Sequence, residues 1–148
     1  MEKSEIKKTI VVNSNSSNVF RKISDENELK KWWVDIPILE KKVGGHLMFR
    51  FLKENSEMLK KDYVVKGKVL QIEPDKKLVY TWKPVDDPDF PNSIVDWTIE
   101  PINSNNTKIT LTHSGLQGCK TFDLLETGWD FFLNKLEKKL QWFPRIFI

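Results

Sequence analysis

Residues 121–143 read TFDLLETGWDFFLNKLEKKLQWF. Apolar side chains recur at Phe122, Leu125, Trp129, Phe132, Leu136, Leu140 and Phe143, always three or four residues apart. That spacing marks a helix with one buried stripe. Thr121 can cap its start by accepting a free backbone N–H bond. At 1.5 Å per residue such a helix would run roughly 30 Å, long enough to cross a whole sheet.

Upstream, the period falls from about 3.6 to two. Leu47, Phe49 and Phe51 alternate with His46, Met48 and Arg50. Asp62 to Glu73 reads as a strand broken by Gly67, a candidate bulge, and ended by Pro74. Asp75-Lys76 turns into Leu78-Val79-Tyr80-Thr81-Trp82, and prolines at 84, 88 and 91 mark a longer loop. Val95, Trp97 and Ile99 share one strand face, and Ile109, Leu111 and His113 share another, across an Asn103–Asn106 turn. Short turns imply antiparallel pairing, because parallel strands need long crossovers.

Before these strands lies a first one, Glu5 to Val12, with Ile6, Ile10 and Val12 on one side. The cluster Asn13–Ser17 caps a short helix around Val19–Ile23, and Asp25 caps a second that ends at Trp32. The stretch Lys53–Lys61 is polar and reads as a loop. The class is therefore α+β. A curved antiparallel sheet of about six to seven strands wraps the long C-terminal helix, with two short helices after the first strand. Residues 1–148 are expected to form one domain.

Composition narrows the function classes. Hydrophobic residues make up 39% and charged residues 30%, a globular balance. No apolar run approaches the ~20 residues of a membrane span, and Met1-Glu2-Lys3-Ser4-Glu5 lacks the apolar stretch of a secretory signal. A cytoplasmic protein is expected. The net charge of +3 comes from 24 basic and 21 acidic side chains that are interspersed, without the basic stripe of a nucleic-acid binder. Cys119 is the only cysteine, so no internal disulfide can form, and nothing nearby would activate it. Two histidines without paired acidic residues at ligand spacing make no metal site. Val43-Gly44-Gly45 reads as a tight turn, not a phosphate cradle, and no cofactor is expected.

The segments Leu29–Trp33, Val43–Gly45, Gly67–Pro74, Leu78–Trp82, Leu111–Leu116 and Gly128-Trp129 resemble, in order, a known family. The chain looks like the START-like (SRPBCC, birch-pollen-allergen-type) helix-grip fold. Within that group it is similar to the family of the C-terminal domain of the activator of the 90-kDa heat-shock protein ATPase. The resemblance implies a hydrophobic cavity between the sheet and the C-terminal helix. It also brings a chaperone-accessory or stress-response role into view.

By strand parity Phe49, Tyr80, Trp82, Trp97, Leu111 and His113 point inward, and Leu125, Trp129 and Phe132 face them from the helix. Of Trp32-Trp33, one indole plugs the core and Trp33 is the candidate for a pocket mouth. Aromatics with a few polar tips suit an apolar pocket. The alternative is a solid core. His113 could bind a polar ligand group or act as acid or base; otherwise it bonds backbone near Ser114-Gly115. His46 is expected to face solvent. Gly128 inside the helix suggests another backbone packing close, or else room left beside Trp129. Glu126 and Asp130 are expected on the wet side. No nucleophile–base–orienter set can be read, so binding of a small hydrophobic molecule without catalysis leads, with an enzyme acting in the same cavity as an alternative. The apolar tail Trp142–Ile148 is a candidate homodimer contact or a cap on the chain's own pocket; docking against its own sheet is the alternative.

Overall fold

Strand β1 (Ile6–Val12) leads into two short helices, α1 (Ser16–Ser24) and α2 (Glu26–Trp32), in the computed structural model, which describes residues 3–141. Each helix starts where a side chain can cap it. Asn15 accepts from the Asn18 N–H at 2.8 Å, and Asp25 from the Glu28 N–H at 3.1 Å. Strands β2 (Ile36–Leu39), β3 (His46–Phe51), β4 (Tyr63–Glu73), β5 (Lys77–Pro84), β6 (Ser93–Asn103) and β7 (Asn106–Ser114) follow, and helix α3 (Phe122–Gln141) closes the chain's described part. All pairings are antiparallel, and the sheet runs β1-β7-β6-β5-β4-β3-β2. Each strand from β2 to β7 lies beside its successor, while α1 and α2 carry the chain from one sheet edge to the other.

Alternation sets the inner face. Leu47, Phe49 and Phe51 of β3 are buried, as are Leu78, Tyr80 and Trp82 of β5, and Val95, Trp97 and Ile99 of β6. Helix α3 lays Phe122, Trp129, Leu133, Leu136 and Leu140 against this face, with Leu125 and Phe132 half-buried. Leu133 thus joins the stripe, and Phe132 sits at its margin. Phe143 and the tail Trp142–Ile148 lie outside the described residues.

Gly67 does not break β4 or shift its register. The shift falls between Val69 and Gln71. At Gly67 the two backbones come close: an added Cβ would sit 1.9 Å from the Thr81 carbonyl oxygen, and the next amide, of Lys68, donates to Thr81 Oγ1 at 2.9 Å. Glycine there permits the approach of β5.

Helix α3 lies nearest β1 and α2. Lys8 on β1 pairs with Glu126 at 3.3 Å and Asp130 at 3.2 Å, which turns both carboxylates toward the β1 edge of the sheet. The helix is therefore held toward one edge of the curved sheet. Over β3, β4 and β5 it stands off, and space remains between the layers.

Candidate functional site

That space is a cavity of about 520 Å³. Phe51, Tyr63, Trp82 and Pro84 of the sheet, with Trp33 at the end of α2 and Phe90 of the loop after β5, form one side. Leu124, Leu125, Gly128, Trp129, Phe131 and Phe132 form the helix side. The 3₁₀ turn Lys53–Asn55 and the residues after it supply Met58 and Leu59 at the mouth. The volume lies within the ~300–1,000 Å³ of pockets that take drug-sized molecules. A smaller, more open dent of about 280 Å³ lies by Lys3, Cys119 and Phe122.

Trp33 is the hub of the wall. Its ring stacks on Trp82 at 6.0 Å and 8°, and meets Trp129 at 5.3 Å and Phe49 at 5.2 Å. The α2 C-terminus places it there, with Trp32 buried beside it, stacked on it at 5.5 Å and donating its indole N–H to the Lys22 carbonyl at 2.9 Å. Interlocked rings of this kind make a stiff apolar surface.

A buried hydrogen-bond chain sets two of these rings. Trp129 Nε1–H donates to His113 Nδ1 at 3.0 Å, so that nitrogen carries no proton. His113 Nε2–H then donates to Ser93 Oγ at 2.9 Å, and Ser93 donates to the Trp82 carbonyl at 2.8 Å. Burial pushes the His113 pKa down to about 3. The imidazole is neutral, committed at both nitrogens, and absent from the cavity lining. It ties the helix indole Trp129 to the β5 backbone at Trp82.

Gly128 has open space beside it: an added Cβ would meet nothing within 4 Å. No backbone packs there, contrary to the close-approach expectation; the missing side chain enlarges the cavity. Tyr63 reaches the lining from the start of β4, and burial pushes its phenol up to about 12, so it stays protonated. Among the described residues, no group of three or more His, Cys, Asp or Glu could hold a metal ion. Nor is any described helix long and apolar enough to cross a membrane.

A sheet gripping one long helix is the arrangement implied by the ordered segments, and the sequence comparison agrees on the family. A family profile described as "Activator of Hsp90 ATPase homolog 1-like protein" matches residues 13–141. The chain belongs to this family.

No curated protein sequence matches the chain. Solved structures of the same fold do. A protein from Chromobacterium violaceum has a TM-score of 0.77 at 19% identity, covering 95% of this chain and 100% of that one. An HSP90 activator from Plasmodium falciparum has a TM-score of 0.75 at 20% identity, covering 93% and 96%. An Aha1 dimer from Colwellia psychrerythraea has a TM-score of 0.73 at 20% identity, covering 94% and 97%.

Within this Hsp90-activator-homologue fold, the ten candidate residues separate into two groups. Trp33, Trp82, Leu125, Trp129 and Phe132 line the cavity. Phe49, Tyr80, Trp97, Leu111 and His113 do not; they fill the core around it. Tyr80 and Trp97 satisfy each other, with Trp97 Nε1–H donating to the Tyr80 hydroxyl at 2.9 Å. His113 bonds side chains of β6 and α3 instead of backbone near Ser114, because the curvature of the sheet brings those groups over its face. His46 is exposed.

Sequence reasoning did not select Phe51, Tyr63, Met58, Leu59, Phe90 and Phe131. Phe51 carried a signal, since it shares strand parity with Phe49. Met58-Leu59 carried a fainter one, as an apolar pair inside a polar loop. Phe131 is half-exposed and breaks the helical stripe, so only the mouth explains it.

Proposed function

We propose that the chain binds a small hydrophobic molecule, without turning it over, in the cavity between the sheet and α3. The observation that carries this reading is the cavity itself: about 520 Å³ walled by indole and phenyl rings, with Gly128 leaving open space on the helix side. Glycine at this position of the helix costs about 1 kcal/mol relative to alanine and leaves the helix side of the cavity open. His113, the sharpest acid–base candidate, has both nitrogens occupied and a depressed pKa, which favours binding over catalysis. A cytoplasmic location accompanies the proposal.

The test fills the cavity from Gly128. Native mass spectrometry of freshly purified protein, followed by denaturing extraction, identifies a bound molecule. The extract and an environment-sensitive apolar dye are then titrated into wild type and Gly128→Phe. The expected result is binding to wild type and its loss in a variant with unchanged circular dichroism. Equal binding by the variant, or none by either protein, refutes the reading.

Family membership favours a second reading, contact with an Hsp90-type chaperone, the Plasmodium falciparum neighbour being an HSP90 activator. The ATPase rate of purified Hsp90 with and without the chain tests it; an unchanged rate and no co-sedimentation reject it. The Colwellia neighbour is a dimer, and a homodimer of this chain is testable by analytical ultracentrifugation.

A further inference from the structure

Indole N–H groups buried in a protein are ordinarily paired. Trp32, Trp97 and Trp129 follow that rule, each donating to an oxygen or nitrogen inside the protein. Trp82 does not. Its Nε1 is the buried side-chain nitrogen or oxygen without a hydrogen-bond partner among the described residues. Trp82 is 3% exposed and lines the cavity.

Beside it is Tyr63, also in the lining. Burial raises the Tyr63 phenol, and the neighbouring Trp82 indole partly opposes that rise. The pair does not close a complete hydrogen bond. A phenol oxygen that turns to accept from an indole must aim its own proton elsewhere. The elsewhere here is the cavity.

The rim sets a second constraint. Asp35, Glu57 and Asp87 line the cavity against one cation, Lys135. The Lys135 ammonium lies over the Phe131 and Phe132 rings at 5.5 and 5.8 Å. Asp35 accepts from the Leu52 N–H and the Asn55 amide. Three carboxylates facing one lysine disfavour an anion, such as a fatty-acid carboxylate.

We propose that the cavity's occupant is an uncharged, largely apolar molecule bearing a carbonyl-type acceptor, received by the Tyr63 hydroxyl with the Trp82 indole N–H behind it. This deepens the ligand-binding reading and rests on it. The ligand completes the chain Trp82 N–H to Tyr63 oxygen and Tyr63 O–H to carbonyl, and so satisfies the orphaned donor.

Three probes of one ring skeleton separate the outcomes: fluorene, 9-fluorenone and fluorene-9-carboxylate. Calorimetry or tryptophan quenching gives each affinity in wild type and in Tyr63→Phe, a change that deletes one oxygen and is checked for folding by thermal melting. Fluorenone is expected to bind about fivefold to tenfold more tightly than fluorene, and the carboxylate more weakly than both. Tyr63→Phe is expected to bring the ketone preference close to one while leaving fluorene unchanged. The Trp82 indole ¹⁵N–¹H resonance, assigned with Trp82→Phe, should move downfield with fluorenone and not with fluorene. If fluorene binds as well as fluorenone, or if the preference survives Tyr63→Phe, the acceptor inference is overturned and the hydrophobic-ligand reading stands. If none of the three binds, both fall.

Discussion

Acidification between pH 8 and pH 5 should destabilise this protein through His113. In the fold the imidazole is buried and neutral, with its pKa pushed down to about 3, against 6.5 when exposed in the unfolded chain. Between those values the unfolded chain binds a proton that the folded chain refuses. Stability therefore rises with pH across this window and is lost as pH falls through it. Each pH unit is worth about 1.4 kcal/mol, so the loss by pH 5 is about 2 kcal/mol, a sizeable part of a domain's 5–15 kcal/mol. Urea unfolding at half-unit pH steps measures it. His113→Gln should remove the slope, at a fixed cost of roughly 2 kcal/mol at pH 8 for the partners left at Trp129 and Ser93. The reasoning fails if wild-type stability is flat from pH 7 to 5, if the variant keeps the slope, or if NMR shows the native imidazole titrating near 6.5.

Gly128→Ala should stabilise, since the methyl meets nothing and alanine gains about 0.5–1 kcal/mol in a helix interior. A rise in Tm of about 2–4 °C is expected, and a fall would mean that another backbone packs there after all. Glu28 is buried among Lys22 at 2.5 Å, Arg21 at 2.8 Å and Lys31 at 3.0 Å. Its hydrogen bond from Lys22, working against desolvation, holds the carboxyl down at about 2. That stability is present above about 4.5 and lost as pH falls toward 2. Glu28→Gln should cost on the order of 2 kcal/mol at pH 7 and flatten the acid limb of the stability curve; an unchanged limb would assign acid unfolding to other groups.

Much of the fold was legible because its signals are local. Period two in 46–51, 93–100 and 108–113 assigned strands and their inward faces, and Asp25 marked a helix start through its own capping oxygen. Gly67 misled, because a strand glycine signals an irregularity without saying whether a bulge or a close neighbour causes it. The loop 53–61 was read by composition alone, so Met58 and Leu59 were passed over. Gly128 was ambiguous for a similar reason: glycine reports that a side chain is absent, not what occupies the space.

Sequence alone determined which side chains turn inward, since parity and helical periodicity are properties of a single element. Whether an inward residue meets a partner or an empty space depends on the distance between elements, and only the tertiary structure decided that. Trp82 and Tyr80 share one face of β5, two residues apart. Tyr80 lies where the layers close, paired with Trp97, whereas Trp82 packs on Trp129 of α3 at the wall of the cavity between the layers. His113 has the same parity as both, and its chemistry followed from neither parity nor spacing. It followed from the two side chains, Trp129 and Ser93, that the folded sheet and helix set against its two nitrogens.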